Sequence, residues 1–117
     1  MIKILIVEKN LILLNHLQTT FNKDKDLKVV VNCKEGHEVI EFLTNNEVDI
    51  ILLDYMQTNG LVLTDQISKQ FPKVKVIGFS TLETKKEENR IINFGAAMYL
   101  SKYETTMDDL IAVIKKC

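Results

Sequence analysis

The chain has 117 residues, about the size of one ordinary domain, so one folded unit spanning 1–117 around one core is expected. With 46% hydrophobic and 26% charged residues and a formal net charge of −1, the composition argues against a disordered chain and against a basic nucleic-acid-binding surface. No apolar run approaches the roughly 18 residues of a membrane span, and the opening MIKILIV is too short and wrongly flanked for a signal peptide, so a cytoplasmic protein with no membrane role is expected.

Residues 2–7, IKILIV, are a continuous apolar run rich in β-branched side chains, the mark of a strand covered on both faces. Asn10 then stands as an N-cap, and Leu11, Leu14, Leu17 and Phe21 recur at helical spacing on one face. A second strand is predicted at LKVVV, 27–31. A helix follows with Val39, Ile40, Phe42 and Leu43 inward and Asn45 and Asn46 closing it. The third strand, VDIILL at 48–53, stops abruptly at Asp54, with the polar turn YMQTNG behind it. Leu63 and Ile67 mark the third helix, which ends near Phe71 because Pro72 disfavours helical geometry in the residue before it.

The fourth strand is VKVIGF, 74–79. Its following helix, in LETKKEENRIINFG, is charged until Ile91, Ile92 and Phe94, with Gly95 as the cap, and should be mostly exposed. The fifth strand is AMYL, 97–100. The last helix carries Met107, Leu110, Ile111 and Ile114 on one face, with Thr105 and Asp108 spaced as a capping box and two lysines at its C-terminal end. Strand and helix alternate five times with short connections, which requires a parallel sheet with right-handed crossovers and helices on both faces. The expected class is a doubly wound α/β domain. Cys33 and Cys117 have no metal-type spacing and read as reduced thiols.

In such sheets, function gathers outside the carboxyl ends of the strands. The first strand delivers Glu8 and Lys9 there, the third Asp54, the fourth Ser80 and Thr81, and the fifth Ser101 and Lys102. The second delivers only Asn32 and Cys33, without comparable charge. A carboxylate nucleophile, a hydroxyl and a lysine at one rim are what a transferred phosphoryl group needs: an attacking oxygen and charge-assisted donors for the phosphoryl oxygens. No Gly-rich phosphate loop follows the first strand, so a small flavodoxin-like cofactor binder or phosphatase is poorly supported.

On the pieces KILIVE, DIILLDYMQTNGL, VIGFS and GAAMYLSK, the chain resembles a receiver domain of the two-component response regulators over nearly its whole length. The resemblance implies a flavodoxin-like, five-stranded parallel sheet in order 2-1-3-4-5 flanked by five helices. It implies Asp54 as acceptor of a phosphoryl group from a histidine kinase or phosphotransfer protein, with autocatalytic transfer and hydrolysis but no metabolic enzyme activity. It further implies Ser80 and Lys102 as partners of the phosphoryl group, Ser80 and Tyr99 as a switch pair, and magnesium held by Glu8, Asp54 and the backbone carbonyl of Met56. The face that switches would be helix 4, strand 5 and helix 5, a surface also suited to a homodimer. GAAMYLSK is similar to the corresponding segment of receivers that precede a helix-turn-helix domain. No nucleic-acid contact is expected from this domain itself.

One departure from the family pattern stands out. Receivers carry two adjacent acids after the first strand, and here the pair is Glu8 and Lys9. Three carboxylates and a lysine would sum to −2, whereas Glu8, Asp54, Lys9 and Lys102 sum to −2 + 2 = 0. Two unit charges ~4 Å apart are worth about 4 kcal/mol at an effective dielectric of ~20, so an ammonium at the metal's position opposes the metal strongly. Magnesium binding is expected to be weak or absent. Two placements of Lys9 are open: paired with Asp54 in partial imitation of the metal, or turned out into solvent. Milder departures are Gln57, Thr81 and Tyr103. The alternative function is accordingly a phosphorylation-independent pseudo-receiver, an interaction or dimerisation module. Either reading requires Glu8, Asp54, Ser80 and Lys102 to meet at one mouth, and the first requires Asp54 to be within reach of water.

Overall fold

The structure is a computed structural model and describes residues 1–55, 59–81 and 84–117. Five strands, β1 (Ile2–Val7), β2 (Leu27–Cys33), β3 (Ile50–Leu53), β4 (Lys75–Ser80) and β5 (Met98–Ser101), pair in parallel in the order β2-β1-β3-β4-β5. They alternate with α1 (Leu11–Asn22), α2 (Gly36–Asn45), α3 (Gly60–Gln70), α4 (Lys85–Asn93) and α5 (Met107–Lys116). Fold class and strand order are as expected.

The period-2 alternation of the central strands divides the core in two. Leu5 and Val7 of β1 and Ile51 and Leu53 of β3 face the layer of α2, α3 and α4, where they meet Val39, Leu43, Leu63, Ile67 and Ile91. Ile4 and Ile6, with Ile50, Leu52, Ile77 and Phe79, face α1 and α5 and meet Leu14, Leu17, Phe21, Leu110 and Ile114. Because both faces are covered, β3 is buried at all four positions, which accounts for its unbroken apolar run.

Local signals were mostly read correctly, with informative exceptions. The Asn10 side chain accepts from the Leu13 N–H at 3.1 Å and caps α1. Leu11, expected on the inner face, is exposed, and the buried stripe of α1 begins one turn later at Leu14. The capping box of α5 is Thr106 with Asp109, one residue later than Thr105 with Asp108: the Thr105 N–H is committed to the Ser101 carbonyl in the turn after β5, so the helix starts beyond it. On α4, Ile91 is buried while Ile92 and Phe94 remain substantially exposed, since the helix touches the sheet along a single narrow stripe. Gly95, at φ 117°, makes the left-handed exit from α4.

Candidate functional site

The sheet register brings the site together. Val7 of β1 pairs with Leu53 of β3, and Leu53 pairs with Gly78 of β4. The ladder continues one step past the strand end, where the Asp54 N–H donates to the Val7 carbonyl at 3.1 Å, so Glu8 and Asp54 leave adjacent strands side by side. Across β4, Ser80 pairs with Ser101, and the Lys102 N–H donates to the Ser80 carbonyl at 2.9 Å, which starts the Lys102 side chain back toward the acids.

The Lys102 ammonium closes the group. Its Nζ lies 2.9 Å from Glu8 Oε1 and 2.7 Å from Asp54 Oδ2, and 5.9 Å from the centroid of the Phe79 ring. Glu8 is 2% exposed and Asp54 3%, so this is a buried, charge-assisted triad rather than a surface ion pair. Burial, the largest single influence on Lys102, disfavours its ammonium. The hydrogen bonds and charges of Asp54 and Glu8 together outweigh burial and hold its pKa above the ordinary lysine value. The other Glu8 oxygen, Oε2, accepts from the Asn10 N–H at 3.1 Å, tying the acid to the start of α1.

Of the residues singled out from the sequence, Glu8, Asp54 and Lys102 are thus in direct contact, and Ser80 lies fully buried at the end of the neighbouring strand. The Tyr99 hydroxyl donates to the Ser80 carbonyl at 2.9 Å and lies 3.5 Å from Ser80 Oγ, so the two expected switch residues touch. Met56 lies outside the described residues, as does Gln57. Asp54, which the first reading requires to be within reach of water, is instead buried at 3% exposure against the Lys102 ammonium.

Lys9 is 44% exposed, with its Nζ 3.5 Å from Oε1 of Glu35. The second strand was expected to deliver nothing charged to the rim; Glu35, the N-cap of α2, is the group the sequence reading missed there. Its signal was present, since Glu35 and Glu38 have capping-box spacing, and each side chain accepts from the other's end of the first turn.

Among the described residues the donor set suits a hard divalent cation poorly: both Glu8 oxygens are engaged, Oδ2 of Asp54 is held by Lys102, and the position after Glu8 carries an ammonium, whereas magnesium demands near-octahedral oxygen ligation. Among the described residues no cluster of three or more His, Cys, Asp or Glu side chains is arranged to hold a metal.

A second residue not foreseen from the sequence is Tyr55. Its hydroxyl is 2.9 Å from Oγ1 of the fully buried Thr64, and burial pushes its pKa up to about 12. A Cβ on Gly78 would stand 2.3 Å from Tyr55 Cε2 and 3.0 Å from Tyr99 Cδ1; one on Gly60 would stand 2.4 Å from Tyr55 Cδ1. Glycine at both places is what admits the ring, and over Gly78 the Tyr55 and Tyr99 rings converge on one spot.

Fold and site together define a doubly wound, flavodoxin-like α/β domain whose carboxyl edge holds a buried aspartate–glutamate–lysine triad beside a serine–tyrosine pair. The model of the response regulator receiver domain matches residues 4–115, and the chain belongs to that family. It is 26% identical over 117 residues to the response regulator protein VraR of Staphylococcus saprophyticus, covering 98% of this chain and 56% of the relative. To the transcriptional regulatory protein DegU of Brevibacillus brevis it is 25% identical over 116 residues, covering 97% and 49%. The chain therefore spans about half the length of these curated relatives. Among solved structures, the receiver domain of the Francisella response regulator 1452 superposes with a TM-score of 0.87 at 23% identity, covering 99% of this chain and 95% of that one. The receiver domain of the NarL response regulator from Mycobacterium tuberculosis gives 0.90 at 16%, covering 99% and 94%. These likenesses establish the fold. The general role of the family is to receive a phosphoryl signal from a histidine kinase. No helix among the described residues is long and apolar enough to cross a membrane.

Proposed function

We propose that this domain is a cytoplasmic receiver in which Asp54 accepts a phosphoryl group from a histidine kinase or phosphotransfer protein, with magnesium held weakly or not at all. The observation that carries the reading is the Lys102 ammonium at 2.7 Å from Asp54 Oδ2, just beyond the strand whose Tyr99 bonds the Ser80 carbonyl. In the reaction an Asp54 oxygen forms a bond to phosphorus as the donor's P–N bond breaks and the departing imidazole takes a proton. Lys102 then holds a phosphoryl oxygen, and the Ser80 hydroxyl turns toward the new group. Loss of that hydroxyl from its place beside Tyr99 frees the tyrosine to reorient, which alters the surface of α4, β5 and α5 through a two-state equilibrium. A groove on this surface, bordered by Thr84, Glu88, Tyr99 and Glu104, is where a partner or a second copy would sense the change. Next to the mouth, Leu11 and Ile12 expose apolar surface that suits a docking kinase.

A second reading is favoured by the 3% exposure of Asp54: a domain locked by its Lys102 triad, serving as an interaction module without phosphorylation. Intact-mass measurement after incubation with acetyl phosphate separates the two. Gain of one phosphoryl mass in the parent, absent in Asp54→Asn, supports the receiver; no gain at any donor concentration leaves the locked module.

A further inference from the structure

The replacement of a metal-binding acid by Lys9 need not disable the pocket, because the lysine follows Glu8 directly and enters the same rim as Asp54. Glu8 and Asp54 leave neighbouring strands side by side, and Lys9 is the next residue along. Its backbone therefore stands at the same rim as Asp54, one residue beyond the Glu8 that shares Lys102 with that aspartate. Its described ion pair, with Glu35 at 3.5 Å, joins two groups that are both about half exposed, a kind of contact that solvent weakens and that is readily exchanged.

Charge determines the direction of that exchange. Glu8, Lys9, Asp54 and Lys102 sum to −2 + 2 = 0 before phosphorylation. A phosphoryl group brings about −1.5 to −2 in place of the Asp54 charge and adds three acceptor oxygens, leaving the site net negative. Lys102 is already shared between Glu8 and Asp54, so the new oxygens call for a further donor. In a receiver with two acids, a divalent cation would supply that charge; here the second acid's position carries a lysine at the rim instead.

We propose that Lys9 is a catalytic residue that replaces the divalent cation: it leaves Glu35 to donate to a phosphoryl oxygen on Asp54, so that phosphoryl acceptance proceeds without metal. The inference rests on the receiver reading and adds to it a cation supplied by the chain itself. With phosphoramidate as donor, an Asp54 oxygen bonds to phosphorus, the P–N bond breaks, and the departing nitrogen takes a proton from water. Lys9 contributes charge and a hydrogen bond without exchanging a proton. The exchange also loosens the bridge between the loop after β1 and the start of α2, which makes Glu35 a competitor for the same ammonium.

The test is the rate of phosphoryl mass gain with phosphoramidate, in chelator and in excess magnesium. The parent is expected to react at the same rate in both. Lys9→Gln is expected to slow by about tenfold in chelator, a modest loss of transition-state stabilisation. Lys9→Asp should make the reaction magnesium-dependent, and Glu35→Gln should speed it. Lys9 and Glu35 are half exposed, so these variants are expected to fold, and the chelator arm on the parent needs no variant. Acceptance that requires magnesium in the parent and is indifferent to Lys9→Gln overturns this proposal while leaving Asp54 as acceptor. Absence of mass gain in both conditions, or gain that persists in Asp54→Asn, overturns both.

Discussion

Substituting Lys102 by methionine would leave two buried carboxylates facing each other. Both Glu8 Oε1 and Asp54 Oδ2 lie within hydrogen-bonding distance of the same nitrogen, so they are no more than about 5.6 Å apart. At an effective dielectric of ~20 their repulsion is about 3 kcal/mol, and breaking a buried ion pair by removing one partner costs about 3–5 kcal/mol. Against a typical domain stability of about 5–15 kcal/mol, a loss near 4 is large. With a urea slope of about 2 kcal/mol per molar, the midpoint should fall by roughly 2 M at neutral pH with the slope unchanged. The measurement is urea unfolding followed by far-ultraviolet circular dichroism, made in a Lys9→Met background so that the neighbouring ammonium cannot move in. Adding Glu8→Gln to Lys102→Met removes one of the opposed charges and should recover much of the loss. Lys102 also predicts the pH dependence. Its folded pKa is raised above the ordinary 10.5, so its contribution is complete below that value and is lost as pH rises through the folded pKa. The protein with Lys102 should show this alkaline loss, and Lys102→Met should lack it. A Lys102→Met midpoint within experimental error of its parent would refute the buried triad as a stabilising unit.

Three further outcomes are expected. Gly78→Ala should cost about 1–3 kcal/mol by overpacking against the Tyr55 and Tyr99 rings, and Tyr55→Leu in the same chain should relieve part of it; an alanine variant as stable as the parent would show that the rings do not converge there. An ultraviolet titration should show one tyrosine ionising only near pH 12, a step that disappears in Tyr55→Phe; because the folded pKa is raised, stability drawn from the neutral phenol is present below pH 10 and declines above it. Of the two thiols, buried Cys33, pushed up to about 11 chiefly by desolvation, should resist a thiol reagent in the native protein, while exposed Cys117 reacts; two fast thiols without denaturant would contradict the burial of β2's end.

The architecture was legible in the linear pattern because its causes are local. Apolar runs such as IKILIV and IILL are what a sheet covered on both faces imposes, and the change to helical spacing at Leu14, Leu17 and Phe21 marks each crossover without reference to the rest of the chain. Parallel connection then sends Glu8, Asp54, Ser80 and Lys102 to one edge by topology alone. Position along the chain carried less information wherever two neighbouring residues offered the same chemistry. Thr105–Asp108 and Thr106–Asp109 have equal spacing, and the Ser101 carbonyl, by holding the Thr105 N–H, selects the second. The partners within the site needed three dimensions for the same reason. Lys9 and Lys102 are both lysines at the rim, yet Lys102 is described between Glu8 and Asp54 and Lys9 against Glu35. Likewise, nothing in the string DYMQTNG placed the Tyr55 ring against Gly78, since that contact joins residues the chain keeps far apart and depends on the β3–β4 register. Hydrophobic period specifies which layer a segment enters; which charged side chain meets which is set by strand pairing and by the competition of nearby donors for the same carboxylate.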